Sequence, residues 1–105
     1  MSAKHERVAL VTGGGRGIGA HVVRGLAARG YSIAIHCHAS LREARELAAE
    51  IEAGGGRALA VTANFREEGA VRAMMHRVLD HFGRLDVVAC CARLRRPVTL
   101  DDLTT

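Results

Sequence analysis

The stretch Thr12-Gly13-Gly14-Gly15-Arg16-Gly17-Ile18-Gly19 constrains this chain more than any other, because the apolar run Val8-Ala9-Leu10-Val11 leads into it and a helix-periodic run follows it. The pattern reads as strand, glycine turn, helix. Glycines at such a junction remove the Cβ atoms that keep other groups away from the backbone. The N–H groups can then close around an anion at the positive end of the helix. The pyrophosphate of a dinucleotide is the natural anion for a turn of this kind. A P-loop is excluded, since it needs Lys and then Ser or Thr after its last glycine, and here Ala20 and His21 follow Gly19.

The rest of the chain repeats the alternation. Ile18, Val22, Val23, Leu26 and Ala27 recur at helical spacing up to Arg29, and Gly30 stands where a left-handed cap belongs. Residues 31–37, β-branched at their centre, predict a second strand. Ser40 to Glu43 has capping-box spacing ahead of the stripe Ala44, Leu47, Ala48 and Ile51, and this second helix is expected to stop at Gly54-Gly55-Gly56. A third strand is expected over 57–62, ending in Ala63-Asn64-Phe65. From Glu67 onward Val71, Met74, Met75, Val78, Leu79 and Phe82 repeat at helical spacing until Gly83. Residues 87–92, apolar on both faces, predict a fourth strand. The alternation implies one α/β domain over residues 1–105, a three-layer sandwich with a parallel sheet of order 3-2-1-4 and right-handed crossovers.

Composition narrows the partners. No apolar run reaches membrane length, and the polar start Met1 to Arg7 leads straight into the first strand, so a cytoplasmic location is expected and no membrane partner. The net charge of +4 is not read as nucleic-acid binding, because aromatic residues for base stacking make up only 3% of the chain. A mildly basic surface suits a polyanionic cofactor. Cys90 and Cys91 are adjacent, closer than bridge geometry permits, so Cys37, Cys90 and Cys91 are expected to be free thiols buried in strands. His36 and His38 share a strand face but make half a metal site at most, and no metal is assigned.

The frame Thr-Gly-x-x-x-Gly-x-Gly fits Thr12, Gly13, Gly17 and Gly19 without a mismatch, and in it the sequence resembles the short-chain dehydrogenase/reductase family. The resemblance implies the first half of a doubly wound, Rossmann-like fold, with cofactor contacts at Gly13, Gly15, Arg16, Gly17, Ile18 and Gly19. Arg16 stands where members that use NADP often carry a basic residue; a solvated turn arginine is the other reading. An NAD enzyme needs an acid at the end of the second strand to bind the ribose 2′-hydroxyl. Cys37, His38, Ala39 and Ser40 stand there instead, so a 2′-phosphate meets Arg16, His38 and Ser40, and NADP (NADPH) is favoured over NAD. The run from His36 to Ser40 is also similar to pteridine reductases, a branch of the same family, although the aromatic residues that stack on a pterin do not follow. Asn64 and Phe65 take the places of the acidic and aliphatic residues that hold the adenine in the family, Asn through its carbonyl oxygen. Cys90-Cys91-Ala92-Arg93 takes the place of Asn-Asn-Ala-Gly, which puts Cys91 and Ala92 beside the cofactor. Arg93, with Arg95 and Arg96, is either a cofactor contact or a solvated turn.

The family transfers hydride with a Ser-Tyr-Lys set, in which Tyr-x-x-x-Lys on one helix lets the lysine lower the phenol pKa. This sequence has one tyrosine, Tyr31, and one lysine, Lys4, and Ile35 lies four residues after Tyr31. No catalytic residue is therefore assigned. Two readings stand. The first is the NADP-binding portion of an oxidoreductase of carbonyls or alcohols, truncated or split, inactive alone, and prone to self-association or to pairing with a missing C-terminal half. The second is a non-catalytic nucleotide-binding or interaction module.

Overall fold

A computed structural model gives the fold and describes residues 7–15, 17–38 and 41–91. The elements alternate as β1 (Val8–Thr12), α1 (Gly17–Ala28), β2 (Ser32–Cys37), α2 (Leu41–Ala53), β3 (Ala58–Thr62), α3 (Glu68–Phe82) and β4 (Val87–Cys90). The strands form one parallel sheet in the order β3-β2-β1-β4, as the alternation predicts.

Period-two alternation divides each strand between two cores. Ala9, Val11, Ile33 and Ile35 meet Ala20 and Val23 of α1 and Ala44, Leu47, Ala48 and Ile51 of α2. Val8, Leu10, Ala34 and Val61 face the other way, onto Met74 and Val78 of α3. The change of face has a topological reason. Strand order runs outward from β1 to β3 and then jumps back across β1 to β4, and crossovers of one hand must then place α3 opposite α1 and α2. Both faces of β1 and β2 are thus covered, and every residue of these two strands is buried. Burial of each large aliphatic side chain contributes roughly 1.5–3 kcal/mol.

The expected glycine caps close the helices. At the end of α1 the Gly30 N–H donates to the Ala27 carbonyl and the Tyr31 N–H to that of Leu26; Gly55 to Glu52 and Gly56 to Ile51 repeat the arrangement after α2. These are the two bonds of a Schellman ending, and they turn the chain into the next strand within a few residues. Gly83 ends α3 with a single N–H bond to Leu79, 2.7 Å. Among the described residues no helix is long and apolar enough to cross a membrane.

Register levels the carboxyl ends of the strands: Val11 sits beside Ile35 and Ala89, Thr12 beside Cys90, and Cys37 beside Thr62. Ligands in such sheets bind beyond the carboxyl ends, where strand order reverses. Here that point is β1.

β4 departs from the expectations in two ways. It pairs over Val87–Cys90, short of the expected 87–92, and its residues alternate between half-buried and exposed. Cys37 is buried as expected, but Cys90 is exposed and Cys91 half-buried. The reason is position: among the described residues β4 pairs with β1 alone, Val87 and Ala89 pack on the α1–α2 core, and Val88 and Cys90 alternate to the other face. Arg16, Ser40, Ala92, Arg93, Arg95 and Arg96 lie outside the described residues.

Candidate functional site

The glycine turn is shaped by backbone approach. Gly13 and Gly17 have φ of 66° and 64°, in the left-handed region that side chains with a Cβ rarely adopt. Gly19, in the first turn of α1, lies against the turn itself: a Cβ there would strike the Gly13 carbonyl oxygen and come within 2.8 Å of the Gly13 carbonyl carbon and of Gly14 Cα. Gly15 rests against the start of α2, where a Cβ would meet the Ala44 nitrogen at 3.5 Å and Glu43 Cβ at 3.7 Å. The turn is therefore folded back onto its own helix, so closely that no side chain fits at Gly19. Ile18, beside it on the first turn of α1, is 77% exposed, a large apolar group left on the rim.

β2 holds the other side of the turn. The Gly14 N–H donates to the His36 carbonyl at 2.9 Å, and the Gly13 N–H donates to His36 Nδ1 at 3.1 Å. His36 Nε2 lies 2.9 Å from the Ala63 carbonyl oxygen. A backbone N–H only donates and a carbonyl only accepts, so Nδ1 is bare and Nε2 carries the proton. The buried imidazole thus has a partner at each ring nitrogen. Its face is covered by Phe65, whose ring stacks at 4.4 Å between centroids and 11° between planes.

Of the sequence-predicted residues, Gly13, Gly15, Gly17, Ile18 and Gly19 form the turn and rim. His38 is exposed just past β2, where its carbonyl accepts the Thr62 hydroxyl at 3.2 Å. Asn64 is half-buried, and its Oδ1 already accepts the Arg66 N–H at 3.0 Å, which leaves that oxygen one further lone pair for an amino group. Phe65 is half-exposed over His36. Cys91 follows β4, its N–H shared between the carbonyl and hydroxyl oxygens of Thr12 at 3.0 and 3.3 Å. Gly13, His36, Ala63 and Phe65 are thus joined in one cluster, whereas Cys91 hangs on β1 from the opposite side.

Sequence reasoning missed two groups. His36 looked like half a metal pair, yet its ring is occupied by Gly13, Ala63 and Phe65. Among the described residues no three His, Cys, Asp or Glu side chains gather to hold a metal ion. Glu43, read as a capping residue, also has its Cβ close to Gly15, and after burial its charge is the second cause that pushes the Cys37 thiol above its ordinary pKa. A thiol held protonated in this way is a packing group and a poor nucleophile. The available signal was that Glu43 follows the end of β2 by six positions, within reach of the turn.

Comparison with known proteins agrees with this geometry. The sequence profile of the short chain dehydrogenases matches residues 7–105. The chain is 40% identical over 98 residues to the hydroxynaphthalene reductase of Aspergillus fumigatus, covering 93% of this chain and 36% of that protein. A short-chain dehydrogenase/reductase homolog of Bacillus subtilis is 35% identical over 98 residues, covering 93% of this chain and 90% of its own length. Among solved structures, a short chain dehydrogenase from Burkholderia cenocepacia in complex with NADP superposes with a TM-score of 0.79 at 44% identity, over 92% of this chain and 39% of that one. The chain spans about a third of the length of the first of these relatives. With the profile matching nearly every residue and the glycine turn folded as the motif requires, the chain belongs to the short-chain dehydrogenase/reductase family.

Proposed function

We propose that this chain is the NADP-binding portion of a short-chain dehydrogenase/reductase, working in the cytoplasm, whose complete reaction is reduction of a carbonyl or oxidation of an alcohol. The observation that carries the reading is the closure of Gly19 onto Gly13, which strips the turn of side chains where the positive end of α1 begins. A pyrophosphate would rest against this turn, which is free of side chains at Gly13, Gly15, Gly17 and Gly19, at the positive end of α1. Asn64 and the outer face of Phe65 flank the adenine, and the family pattern assigns Cys91 and Ala92 to the nicotinamide ribose. Arg16, His38 and Ser40 supply the positive charge and donors for a 2′-phosphate.

When bound, the nicotinamide would give hydride to a carbonyl in its reduced form or take hydride from an alcohol in its oxidised form. The residues of this chain orient it but offer no proton donor of the family's kind, since Tyr31 opens onto β2 and the sequence lacks Tyr-x-x-x-Lys. General acid–base catalysis typically contributes ~10²- to 10⁴-fold. The 105-residue chain alone is therefore expected to bind NADP weakly and to turn nothing over, and β4, which among the described residues pairs on one edge only, is the side on which a complementary segment would pair.

Glu43 supports a second reading. Its Cβ lies close to Gly15, and an acid in this neighbourhood of the turn disfavours a 2′-phosphate, which favours NAD. Calorimetric titration of the wild type and Arg16→Glu with NADP⁺ and NAD⁺ separates the two. The first reading expects tighter NADP⁺ binding that Arg16→Glu weakens by about tenfold with little change for NAD⁺. Tighter binding of NAD⁺, abolished by Glu43→Ala, overturns it, and NADPH consumption over a panel of carbonyls by the purified chain overturns the expectation of inactivity.

A further inference from the structure

β3 and β1 are not neighbours, because β2 lies between them. One side chain nevertheless spans the gap at their carboxyl ends. His36 takes the Gly13 N–H from the β1 side at 3.1 Å, gives its own Nε2–H to Ala63 on the β3 side at 2.9 Å, and lies flat under Phe65. Its main-chain carbonyl also takes the Gly14 N–H. The first two N–H groups of the glycine turn are therefore turned back into the sheet, and the ring that flanks the adenine stretch is fixed over the same imidazole. We infer that His36 is a positioning residue for the dinucleotide: it sets the pyrophosphate turn and the adenine flank relative to each other through a single Nε2–H tautomer. The inference rests on the dinucleotide reading above, which supplies the ligand whose two ends are being spaced.

Histidine suits this role because one rigid ring carries an acceptor and a donor on different atoms. Asn places an oxygen at the distance of Nδ1 and can still take the Gly13 N–H, but it does not reach Ala63. Gln places an amide nitrogen at the distance of Nε2 and can still serve Ala63, but it leaves Gly13 without an acceptor. A histidine that merely fills the core predicts the reverse order, because Asn leaves the larger cavity.

The test uses the purified chain in two measurements. With ¹⁵N-labelled histidine, nuclear magnetic resonance is expected to show His36 with a bare Nδ1 and a protonated Nε2, and slow exchange at the Gly13 amide. Calorimetry with NADP⁺ is then expected to show that His36→Asn, which loses the Ala63 arm, binds about threefold more weakly than the wild type, and that His36→Gln, which frees the turn itself, binds about tenfold more weakly. An Nδ1–H tautomer, fast exchange at Gly13, or His36→Gln binding as tightly as the wild type overturns the positioning role. Should His36→Gln fail to fold, the tautomer and exchange in the wild type still decide whether the tie exists. A wild type with the expected tautomer that binds neither NADP⁺ nor NAD⁺ overturns the dinucleotide reading instead, so the two failures are told apart.

Discussion

β2 and β4 flank the same strand and read alike in sequence, yet they live in different surroundings. Ser32–Cys37 is buried at every residue, paired on both edges and roofed on both faces, while Val87–Cys90 is, among the described residues, paired on one edge and exposes alternate residues. A short apolar run reports that a strand can be buried, and only its neighbours decide whether it is. The two strands also carry different site burdens. β2 holds the glycine turn through its backbone and His36, whereas β4 reaches the site through the Cys91 N–H on Thr12.

Paired truncations break the comparison most directly. Ile35 is fully buried and its Cγ2 lies beneath Gly14, so Ile35→Ala removes core and the floor of the turn together. A loss of about 2–5 kcal/mol is expected. Val88 is 51% exposed, and Val88→Ala is expected to cost about 0.5 kcal/mol or less. Urea denaturation of both variants measures the contrast; equal losses would mean that β4 is as well covered as β2.

The difference also explains what could be read from the chain before its fold. Element order and sheet order follow from local signals, namely the stripe of Ala44, Leu47, Ala48 and Ile51, the glycine ends, and the alternation of strand and helix. The turn was legible for the same reason, since the spacing of Gly13, Gly17 and Gly19 is contained in a few residues. His36 was not, because its partners stand 23 residues before it and 27 after it. Glu43 was hidden in the same way, its helix position being plain and its closeness to Gly15 a matter of tertiary packing. The exposure of Cys90 depends on what lies on the open face of β4, about which Val87-Val88-Ala89-Cys90 is silent.

A smaller effect sharpens the edge half of the comparison. Strands that show an apolar face and unpaired backbone groups pair with other chains, and a charge placed on them opposes it. The isolated chain is expected to self-associate at high concentration, and Val88→Lys to shift it toward monomer. Size-exclusion chromatography with light scattering reads this out. A wild type that stays monomeric and folds cooperatively at high concentration would show that the edge does not drive association.

The smallest expected effect concerns how β4 is held at its start. The Asp86 N–H donates to the Val8 carbonyl at 2.9 Å and the Val8 N–H donates to Asp86 Oδ2 at 2.8 Å, so the residue before β4 is clasped to the first residue of β1. Arg84 grips the same carboxylate through Nε at 2.9 Å and Nη2 at 2.7 Å. The Arg84 hydrogen bonds, and after them the Val8 N–H, hold the Asp86 carboxyl below its ordinary pKa. The fold thus binds the ionised form more tightly than the unfolded chain does. The resulting stability is fully present above the unfolded value of about 3.9 and is lost as pH falls through the lower folded value. Because the pair is partly exposed, its contribution is small and weakens with salt. Asp86→Asn keeps an oxygen for the Val8 N–H and removes the charge. It is expected to melt slightly below the wild type at neutral pH and to converge with it below about pH 3.9 in low salt. Melting curves that stay parallel from neutral to acid would show that β4 is held at its entry by backbone bonds alone, as β2 is held by its core.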